Sequence, residues 1–298
     1  MEIVVVGHLS RDLIITPDTK MEMLGGAPAY AMLAPAIGAF GAGIVSKVGS
    51  DFDASYKIDL TASGLNLTGL HYEGAHTTRF VNVYNANGER TQRVEALAPK
   101  IKPSDFADVH VEASTIHFSP LSPNEIDKAC FDVACENDAL VSLDAQGYLR
   151  SISNNGDVSL KTWADSDRIL GMVDIVKLHD SELRMINEDN SELSTVSHIL
   201  DLGPRIVIVT RDHRGSTIYT RNAQVDIPLV LADAQVDSTG CGDTYAIGFL
   251  IEYMRSANVS RAGLFAATCS SFNVETMGPY DMPDRVMVES RMRRYLQA

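Results

Sequence analysis

The clearest structural signal in the chain is the stretch Ala234-Gln235-Val236-Asp237-Ser238-Thr239-Gly240-Cys241-Gly242-Asp243-Thr244-Tyr245-Ala246-Ile247-Gly248-Phe249-Leu250. Apolar residues recur at helical spacing after Asp243, so the pattern predicts that a helix begins near Gly242. Gly240 and Gly242 let successive backbone N–H groups point into one concavity, and the helix N-terminus adds unpaired donors and its positive dipole end. The stretch therefore predicts a binding site for an anion such as phosphate.

Asp243 has two interpretations. An acidic side chain in the first turn of a helix is stabilised by the helix dipole alone, which makes Asp243 an ordinary N-terminal acid. Asp237, Ser238 and Thr239 stand directly upstream, however, and a carboxylate beside a phosphate site is suited to general-base chemistry. Because the ordinary pKa of aspartate lies near 4, we expect this carboxylate to be ionised at neutral pH without further tuning.

Short apolar runs alternate with helical patterns along the chain. The helical patterns cover Gly26–Phe40 and Pro123–Cys135. The apolar runs, each read as a buried strand, are Glu2–Val6, Ala139–Leu143, Ile175–Leu178 and Ile206–Thr210. This alternation predicts an α/β fold with a mostly parallel central sheet covered by helices, and with ligands at the carboxyl ends of the strands.

One region departs from that alternation. Thr77–Val94 contains two polar-rich extended stretches around Asn87-Gly88, which is a strong hairpin signal because both residues tolerate positive φ. The hairpin is expected to stand away from the main sheet, as either a lid or a dimer surface. We find no repeat or linker that would divide the 298 residues, so we expect one large domain.

Composition excludes several classes of protein. The chain has 25 Lys and Arg against 39 Asp and Glu, a formal net charge of −14, which disfavours nucleic acid as a partner. The apolar N-terminal run is too short to span a membrane and lacks a basic leader, so we expect a cytoplasmic protein. The spacing of the four cysteines favours reduced thiols. The sequence lacks a P-loop motif and a dinucleotide-binding glycine motif, which disfavours a P-loop NTPase and a dinucleotide-dependent dehydrogenase.

The stretch Asp237–Asp243 resembles the signature of the ribokinase-like (PfkB) sugar-kinase family, Asp-Thr-x-Gly-Ala-Gly-Asp followed by an aromatic residue and Gly-Phe. Cys241 replaces the usual alanine in a loop that works through its backbone. Further similar segments follow in the family's order at 7–12, 25–26, 144–150, 177–182 and 209–215. The resemblance implies a ribokinase-like three-layer α/β fold over residues 1–298, with lid segments at about 13–24 and 69–97.

The resemblance also implies the reaction, which is transfer of the γ-phosphoryl group of ATP to a hydroxyl of a small sugar or polyol. Asp243 would accept the hydroxyl proton, and the N–H groups of Gly240, Cys241 and Gly242 would hold the phosphoryl oxygens. Glu182 would support Mg²⁺. A K⁺ site near Asp237, Thr239 and the loop 270–278 is implied as well, as is pairing of two chains through the lid.

Further roles come from the same resemblance. The acceptor substrate would contact Asp12, Gly25, Gly26, Tyr30 and Arg150. The nucleotide would contact Thr210, Arg211, Gly215 and Thr239. For Tyr30, packing and substrate contact are both open interpretations.

Two departures from the family pattern bear on the substrate and the metal. His179 replaces the asparagine that usually precedes the metal-supporting glutamate, and Tyr30 replaces a substrate-binding asparagine. Together with the segment Asp144–Arg150, Tyr30 makes the chain similar to inositol-kinase-like members, so myo-inositol is the expected substrate. A nucleoside or a furanose sugar is the alternative substrate. The alternative to an enzyme is a nucleotide- or metabolite-binding protein that has kept the fold but lost turnover.

Overall fold

The computed structural model describes residues 1–85, 90–187 and 191–296 and contains a nine-stranded central sheet. Its strands are β1 Ile3–Val6, β4 Ala42–Val48, β5 Leu65–Tyr72, β8 Thr115–Phe118, β9 Leu140–Asp144, β12 Ile175–His179, β13 Ile206–Thr210, β14 Ser216–Tyr219 and β15 Gln224–Ile227. Their spatial order is β15-β14-β13-β12-β9-β8-β1-β4-β5. The pairs from β13 to β5 are parallel, and β14 and β15 add an antiparallel edge. The predicted mostly parallel sheet is confirmed.

The helices cover both faces of this sheet. They are α1 Ala27–Tyr30, α2 Leu33–Ala36, α3 Ala54–Ala62, α4 Asp108–Val111, α5 Ala129–Cys135, α6 Ser166–Leu170, α7 Asp180–Leu183, α8 Glu192–Leu202, α9 Cys241–Ser256, α10 Val259–Asn273 and α11 Arg285–Met292. Alternate residues of β1 enter opposite cores: Ile3 and Val5 join the cluster with α9 and α10, whereas Val4 and Val6 join the cluster with α5 and α8. The three-layer arrangement follows from this two-sided burial.

A separate four-stranded sheet, here called the small sheet, stands beside the large one. It consists of β2 Ser10–Ile15, β3 Lys20–Gly25, β6 Arg79–Tyr84 and β7 Arg90–Ala96, in the order β3-β2-β6-β7. A two-stranded hairpin, β10 Arg150–Ile152 and β11 Val158–Leu160, lies next to β7 through a bridge between Arg93 and Asp157. The turn at Asn87-Gly88 lies outside the described residues.

The strands of the small sheet differ in their bounds from the expected lid segments at about 13–24 and 69–97. Residues 69–72 pair with β4 as part of β5, so they belong to the large sheet, and the second segment of the small sheet begins at Arg79. The first segment begins at Ser10 instead of residue 13, because β2 already pairs with β3 from Ser10 onward. Strand pairing of this kind depends on the partner strand, which periodicity within one segment does not reveal.

Two predicted helices are shorter than expected. The pattern over Gly26–Phe40 folds as the two short helices α1 and α2, with a turn between them and Pro35 inside the second. In Pro123–Cys135 only Ala129–Cys135 is helical, because the residues before it form a turn and a bridge from Ile126 to Ile101. Among the residues that the structure describes, no helix has the length and apolar character needed to span a bilayer.

Candidate active site

The loop before α9 places two glycines beside the N-terminus of a sixteen-residue helix. Gly240 occupies the N-cap position in the left-handed region, with φ 79° and ψ 0°. A Cβ on Gly240 would lie 1.9 Å from Cζ of Tyr30, so only glycine satisfies both the backbone and the neighbouring ring. The helix begins at Cys241, one residue before the expected position, and its first turn presents N–H groups without carbonyl partners one turn earlier.

Thr239 is held from several sides, and this fixes the loop. Its carbonyl accepts hydrogen bonds from Tyr30 Oη at 3.2 Å and from Asn273 Nδ2 at 2.8 Å. Its own N–H and hydroxyl donate to Asp237 Oδ1 at 3.0 and 2.9 Å. Tyr84, on the small sheet, approaches the Thr239 hydroxyl at 3.4 Å. The loop is therefore preorganised, with one contact coming from the small sheet.

Tyr30 supports this loop through its whole side chain. Its ring is 1% exposed, and it packs against Gly240 while its hydroxyl donates to the Thr239 carbonyl. Burial and the charge of Asp243 raise the pKa of the Tyr30 phenol well above its ordinary value, so the hydroxyl stays a donor. Of the two interpretations that the sequence left open for Tyr30, the geometry favours packing.

Asp243 lies buried in the first turn of α9, where Ser119 donates to its Oδ1 at 3.3 Å. Burial, followed by the charge of Asp144, raises the pKa of Asp243 to about 7. Lys177, Ser119 and Arg150 act in the opposite direction. The expectation that this carboxylate needs no tuning is wrong, because composition and spacing do not reveal burial. A carboxylate with a pKa near neutrality is well matched to a general base.

Lys177 and Asp144 form a buried ion pair below the helix N-terminus. The two residues are register partners on the adjacent strands β12 and β9, and Lys177 Nζ donates to Asp144 Oδ2 at 2.6 Å. A Cβ on Gly242 would lie 3.0 Å from the same ammonium. Lys177, Asp144 and Ser119 were not among the residues predicted for the site. The signal for Asp144 and Ser119 was positional, since Asp144 ends β9 and Ser119 follows β8, whereas Lys177 lies within β12 two residues before its end.

Cys241 contributes less to the anion site than expected. Its N–H donates to the Ser238 carbonyl at 3.3 Å, so it is not free in the way that the predicted anion hole requires. Burial raises the pKa of its thiol to about 11, and Asn273 donates to Sγ at 3.4 Å. The thiol is therefore protonated and packed, while the N–H groups of Gly242 and Asp243 remain at the open end of the helix.

Glu182 lies in a capping box at the start of α7. Its Oε2 accepts the backbone N–H of His179 at 2.7 Å, and burial with the charge of Asp144 raises the pKa of Glu182. The His179 ring is held by Ser181 at 2.7 Å and by Asp212 at 3.2 Å, so it is fixed within this turn. The described residues contain no cluster of three or more His, Cys, Asp or Glu that could hold a metal by itself.

These residues fit Mg²⁺, which retains waters and binds through one or two carboxylates together with substrate phosphates. Glu182 is a partly buried carboxylate whose charge is disfavoured by its burial and by the neighbouring Asp144, and a divalent cation would offset that charge. An all-protein cage is not needed for this ion.

Arg150 lies at the start of β10. Its guanidinium donates to the carbonyl of Leu121 at 3.0 Å and to Gln146 Oε1 at 2.9 Å, and it lies 5.7 Å from the centroid of the Phe80 ring. Its charge lowers the pKa values of both Asp243 and Glu182. Arg150 therefore links the Asp243 and Glu182 carboxylates to the inner face of the small sheet, the face that carries Phe80 and Asn82.

The predicted acceptor residues Asp12, Gly25 and Gly26 meet at the base of the small sheet. Asp12 is 8% exposed, and a Cβ on Gly25 would lie 2.6 Å from Asp12 Oδ2 and 2.7 Å from Ser10 Oγ. Gly26 has φ 84°, and a Cβ there would lie 2.1 Å from the His8 carbonyl oxygen. The two glycines thus allow the polar groups of β2 to come close to the start of α1.

The predicted nucleotide-binding residues, apart from Thr239, lie at the end of β13. Thr210 donates to the Leu178 carbonyl at 3.4 Å. The Arg211 guanidinium is engaged by Glu192 and by Thr217 Oγ1, the latter at 2.8 Å. Gly215 has φ 75°, and a Cβ there would lie 2.2 Å from the Ile227 carbonyl oxygen. Each residue has a structural role here, and contact with a nucleotide stays a prediction.

The fold and this site define a kinase built on the ribokinase fold, with a buried aspartate in the first turn of α9. The sequence matches the pfkB family of carbohydrate kinases over residues 1–285. The chain belongs to this family.

Comparison with curated proteins gives relatives that match most of this chain. A nucleoside kinase from Methanothermobacter thermautotrophicus is 29% identical over 95% of this chain and 93% of its own. A cytidine kinase from Thermococcus kodakarensis is 27% identical over 86% of this chain and 89% of its own. An inositol 3-kinase from Arabidopsis thaliana is 25% identical over 93% of this chain and 74% of its own.

Solved structures show the same fold at lower identity. A protein described as ribokinase II from E. coli, in complex with ATP and Mg²⁺, matches with a TM-score of 0.82 at 20% identity, over 98% of this chain and 99% of the other. The nucleoside kinase of Methanocaldococcus jannaschii matches with a TM-score of 0.76 at 22% identity, over 99% of both chains. The ribokinase-like fold predicted from the sequence is confirmed.

Proposed function

We propose that this protein transfers the γ-phosphoryl group of ATP to a hydroxyl group of a nucleoside. The observation that carries the reaction type is the position of Asp243, a buried carboxyl with its pKa raised to about 7, in the first turn of α9 beside the left-handed Gly240. One helix end thus presents a base and a set of phosphate-binding N–H groups to the same small volume.

The transfer needs positioning more than covalent chemistry. The acceptor oxygen forms a bond to the γ-phosphorus while the bond from that phosphorus to the bridging oxygen of ADP breaks. Asp243 accepts the hydroxyl proton, and the N–H groups at the start of α9 stabilise charge on the phosphoryl oxygens. Donors of this kind contribute on the order of 3 kcal/mol each in comparable oxyanion sites.

Residues around the N-terminus of α9 would bind Mg²⁺ and the nucleotide. Glu182 is the residue that would hold Mg²⁺, and the ion, when bound, would neutralise phosphate charge. We assign the nucleotide to the end of β13 and the following loop, with Thr210, Arg211, Gly215 and Thr239. The short distance from this edge of the sheet to α9 follows from the parallel topology, which gathers the carboxyl ends of the strands.

A nucleoside is placed before myo-inositol for two reasons. Three relatives at 27–29% identity, which cover 86–95% of this chain, are named as nucleoside or cytidine kinases. The inner face of the small sheet also combines apolar side chains with an amide pair, because Gln92 Nε2 donates to Asn82 Oδ1 at 2.9 Å and Asn82 is 1% exposed. Amides read the edges of bases well, and aromatic and apolar side chains accept their faces.

Myo-inositol stays the second candidate. The Asp144–Arg150 segment that favoured it is folded around the Arg150–Gln146 hydrogen bond, and a relative named inositol 3-kinase covers most of the chain. A polyol would depend more heavily on Asp12 and Arg150, because each ring hydroxyl requires a polar partner.

The small sheet is proposed as a lid, and a homodimer through it stays a prediction. Tyr84 reaches from this sheet to Thr239 at 3.4 Å, so closing the sheet over the acceptor would also contact the phosphate-binding loop. The outer face carries an ion-pair ladder in which Glu22 binds both Arg11 and Arg79. Light scattering would test the dimer, and a monomeric mass at micromolar concentration would contradict it.

A K⁺ site beside the loop is also proposed. Asp237 Oδ2 is buried without a hydrogen-bond partner among the described groups, and the backbone N–H of Asp237 lies 3.2 Å from the Val274 carbonyl oxygen. The Asp237 carboxylate oxygen is the group that would bind this cation. Rates that are equal in potassium and tetramethylammonium salts would contradict this assignment.

An acceptor panel tests the proposed function. The purified chain would be incubated with Mg²⁺, ATP and each of cytidine, uridine, adenosine, guanosine, ribose, fructose and myo-inositol, with products identified by ³¹P NMR. We expect phosphorylation of at least one nucleoside with the highest kcat/KM. Activity confined to myo-inositol would reverse the order of the two candidates. ATP binding with no transfer to any acceptor would favour the binding-protein alternative.

A further inference from the structure

The Lys177–Asp144 pair lies where a structural ion pair would be costly. Lys177 and Asp144 are 6% and 1% exposed, and a buried pair of this kind stabilises a fold little, because both ions lose their hydration. The ammonium also stands beside Gly242 in the first turn of α9, at the positive end of the helix dipole. A cation at that end is unfavourable unless an anion lies between the cation and the helix.

More carboxyl groups than cations surround Lys177. The carboxyl groups that act on it belong to Asp144 on β9, Glu182 on α7 and Asp243 on α9. Arg150 on β10 is the other cation of this group, and the buried His117 on β8 has its pKa lowered to about 4 and is neutral. Burial alone would lower the pKa of Lys177, but the carboxylates raise it above its ordinary value. Lys177 is therefore a permanent ammonium at neutral pH.

The glycine at position 242 has a spatial reason that points to the same ammonium. A Cβ there would lie 3.0 Å from Nζ and 3.7 Å from Cε of Lys177, so a side chain would fill the space between the lysine and the helix end. That space faces the backbone N–H groups of the first turn, which have no carbonyl partners within the helix. Two sources of positive potential, the helix end and Nζ, converge there.

We infer that Lys177 is a catalytic residue that binds the transferring phosphoryl group together with the N-terminus of α9, and that Asp144 holds its ammonium in place before the donor arrives. This inference rests on the proposed phosphotransfer and adds a specific residue to it. Charge on the phosphoryl oxygens rises during transfer, and a fixed ammonium beside them stabilises that state more than the ground state.

Kinetics of three variants test this role. Lys177→Met should lower kcat about 100-fold, in the range found when one preorganised donor is removed from an oxyanion site. Lys177→Arg should recover part of that loss, since it keeps the charge. Because Lys177 lowers the pKa of Asp243, the acidic limb of the kcat/KM profile should move to higher pH in Lys177→Met. Lys177→Met/Asp144→Asn removes both charges, so it tests kcat without leaving an unpaired buried carboxylate.

Lys47 provides a matched control. It is also a buried lysine, 2% exposed, and its ammonium binds Glu73 at 2.6 Å and Asp105 at 3.0 Å. Lys47→Met should lower the thermal midpoint but leave kcat and the pH profile unchanged. If Lys47→Met and Lys177→Met lose kcat to the same extent, or if the double variant keeps kcat within threefold of the wild type, Lys177 has only a structural role.

Binding measurements separate this inference from the proposed function. Calorimetry would measure the binding of β,γ-imido-ATP, imidodiphosphate and ADP. Lys177→Met should weaken binding of β,γ-imido-ATP and of imidodiphosphate about tenfold. ADP binding should change less than twofold. A wild type that binds these probes but phosphorylates no acceptor would overturn the proposed function and the catalytic role of Lys177, while the weaker probe binding of Lys177→Met would still show that Lys177 contacts the terminal phosphate. Equal losses for ADP and the imido analogue, or no probe binding by the wild type, would overturn the lysine assignment.

Discussion

The ring of Tyr30 lies directly against Gly240, so that a Cβ at position 240 would come within 1.9 Å of Cζ. The two residues are far apart in the chain but meet where α1 faces the loop before α9. Tyr30 also donates to the carbonyl of Thr239, so one side chain supports both residues that precede the helix. The shape of the loop before α9 thus depends on a residue of the N-terminal half.

Gly240→Ala should lower both stability and turnover. The left-handed backbone alone costs about 1–2 kcal/mol for a residue with a Cβ, and the contact with the Tyr30 ring adds to this. We expect a fall in the thermal midpoint of several degrees and a loss of kcat of at least tenfold. Gly64→Ala is the control, because Gly64 has φ 90° but its Cβ would meet Pro35 only at 3.7 Å. Equal effects of the two substitutions would contradict the role of the ring.

Gly25→Ala should weaken binding of the acceptor substrate and leave binding of ATP nearly unchanged. The new Cβ would lie 2.6 Å from Asp12 Oδ2 and 2.7 Å from Ser10 Oγ, so the Asp12 carboxylate must move. If Asp12 binds a hydroxyl of the acceptor, KM for the acceptor should rise at least tenfold while KM for ATP stays within twofold. Initial rates with each substrate varied in turn would measure both values. An equal rise in the two KM values would contradict the assignment.

Asp243→Asn should keep the fold and nucleotide binding while lowering kcat by a factor of 10² to 10⁴, the usual contribution of a positioned base. The amide is nearly the same size, and it retains an oxygen for the Ser119 hydrogen bond. A coupled assay of ADP release would measure turnover, and calorimetry with ADP would measure binding. Turnover close to that of the wild type would exclude Asp243 as the base.

The sequence predicted the parts of this site that local pattern specifies. The helix near Gly242, the phosphate-binding loop and Asp243 all follow from one short segment, and the main strands follow from their apolar runs. Residues that meet only through the fold were missed. Lys177 and Asp144 are register partners on neighbouring strands, and neither residue type is unusual at the end of a strand. Burial of Asp243, which raises its pKa, is likewise a property of packing.

The pH dependence of kcat/KM should show the raised pKa of Asp243. A base must be unprotonated, so kcat/KM should fall about tenfold per pH unit below an apparent pKa near 7 and reach a plateau above it. Ser119 donates to Asp243 Oδ1 and lowers the pKa of Asp243, so Ser119→Ala should move this limb to higher pH. A limb centred near pH 4 in the wild type would contradict the burial argument.

The same raised pKa makes Asp243 a cost to stability at neutral pH. Its pKa lies near 7 in the folded chain and near 4 in the unfolded chain, so the folded state binds more protons between these values. Stability therefore falls as the pH rises from 4 to 7, by at most about 4 kcal/mol for this group.

Asn cannot ionise, so Asp243→Asn should be more stable than the wild type at pH 8. This difference should shrink toward pH 5, where the wild-type carboxyl is protonated. Urea unfolding of both proteins at pH 5, 6, 7 and 8 would measure the free energy of unfolding at each pH. A stability difference that is the same at every pH would show that Asp243 does not titrate in this range.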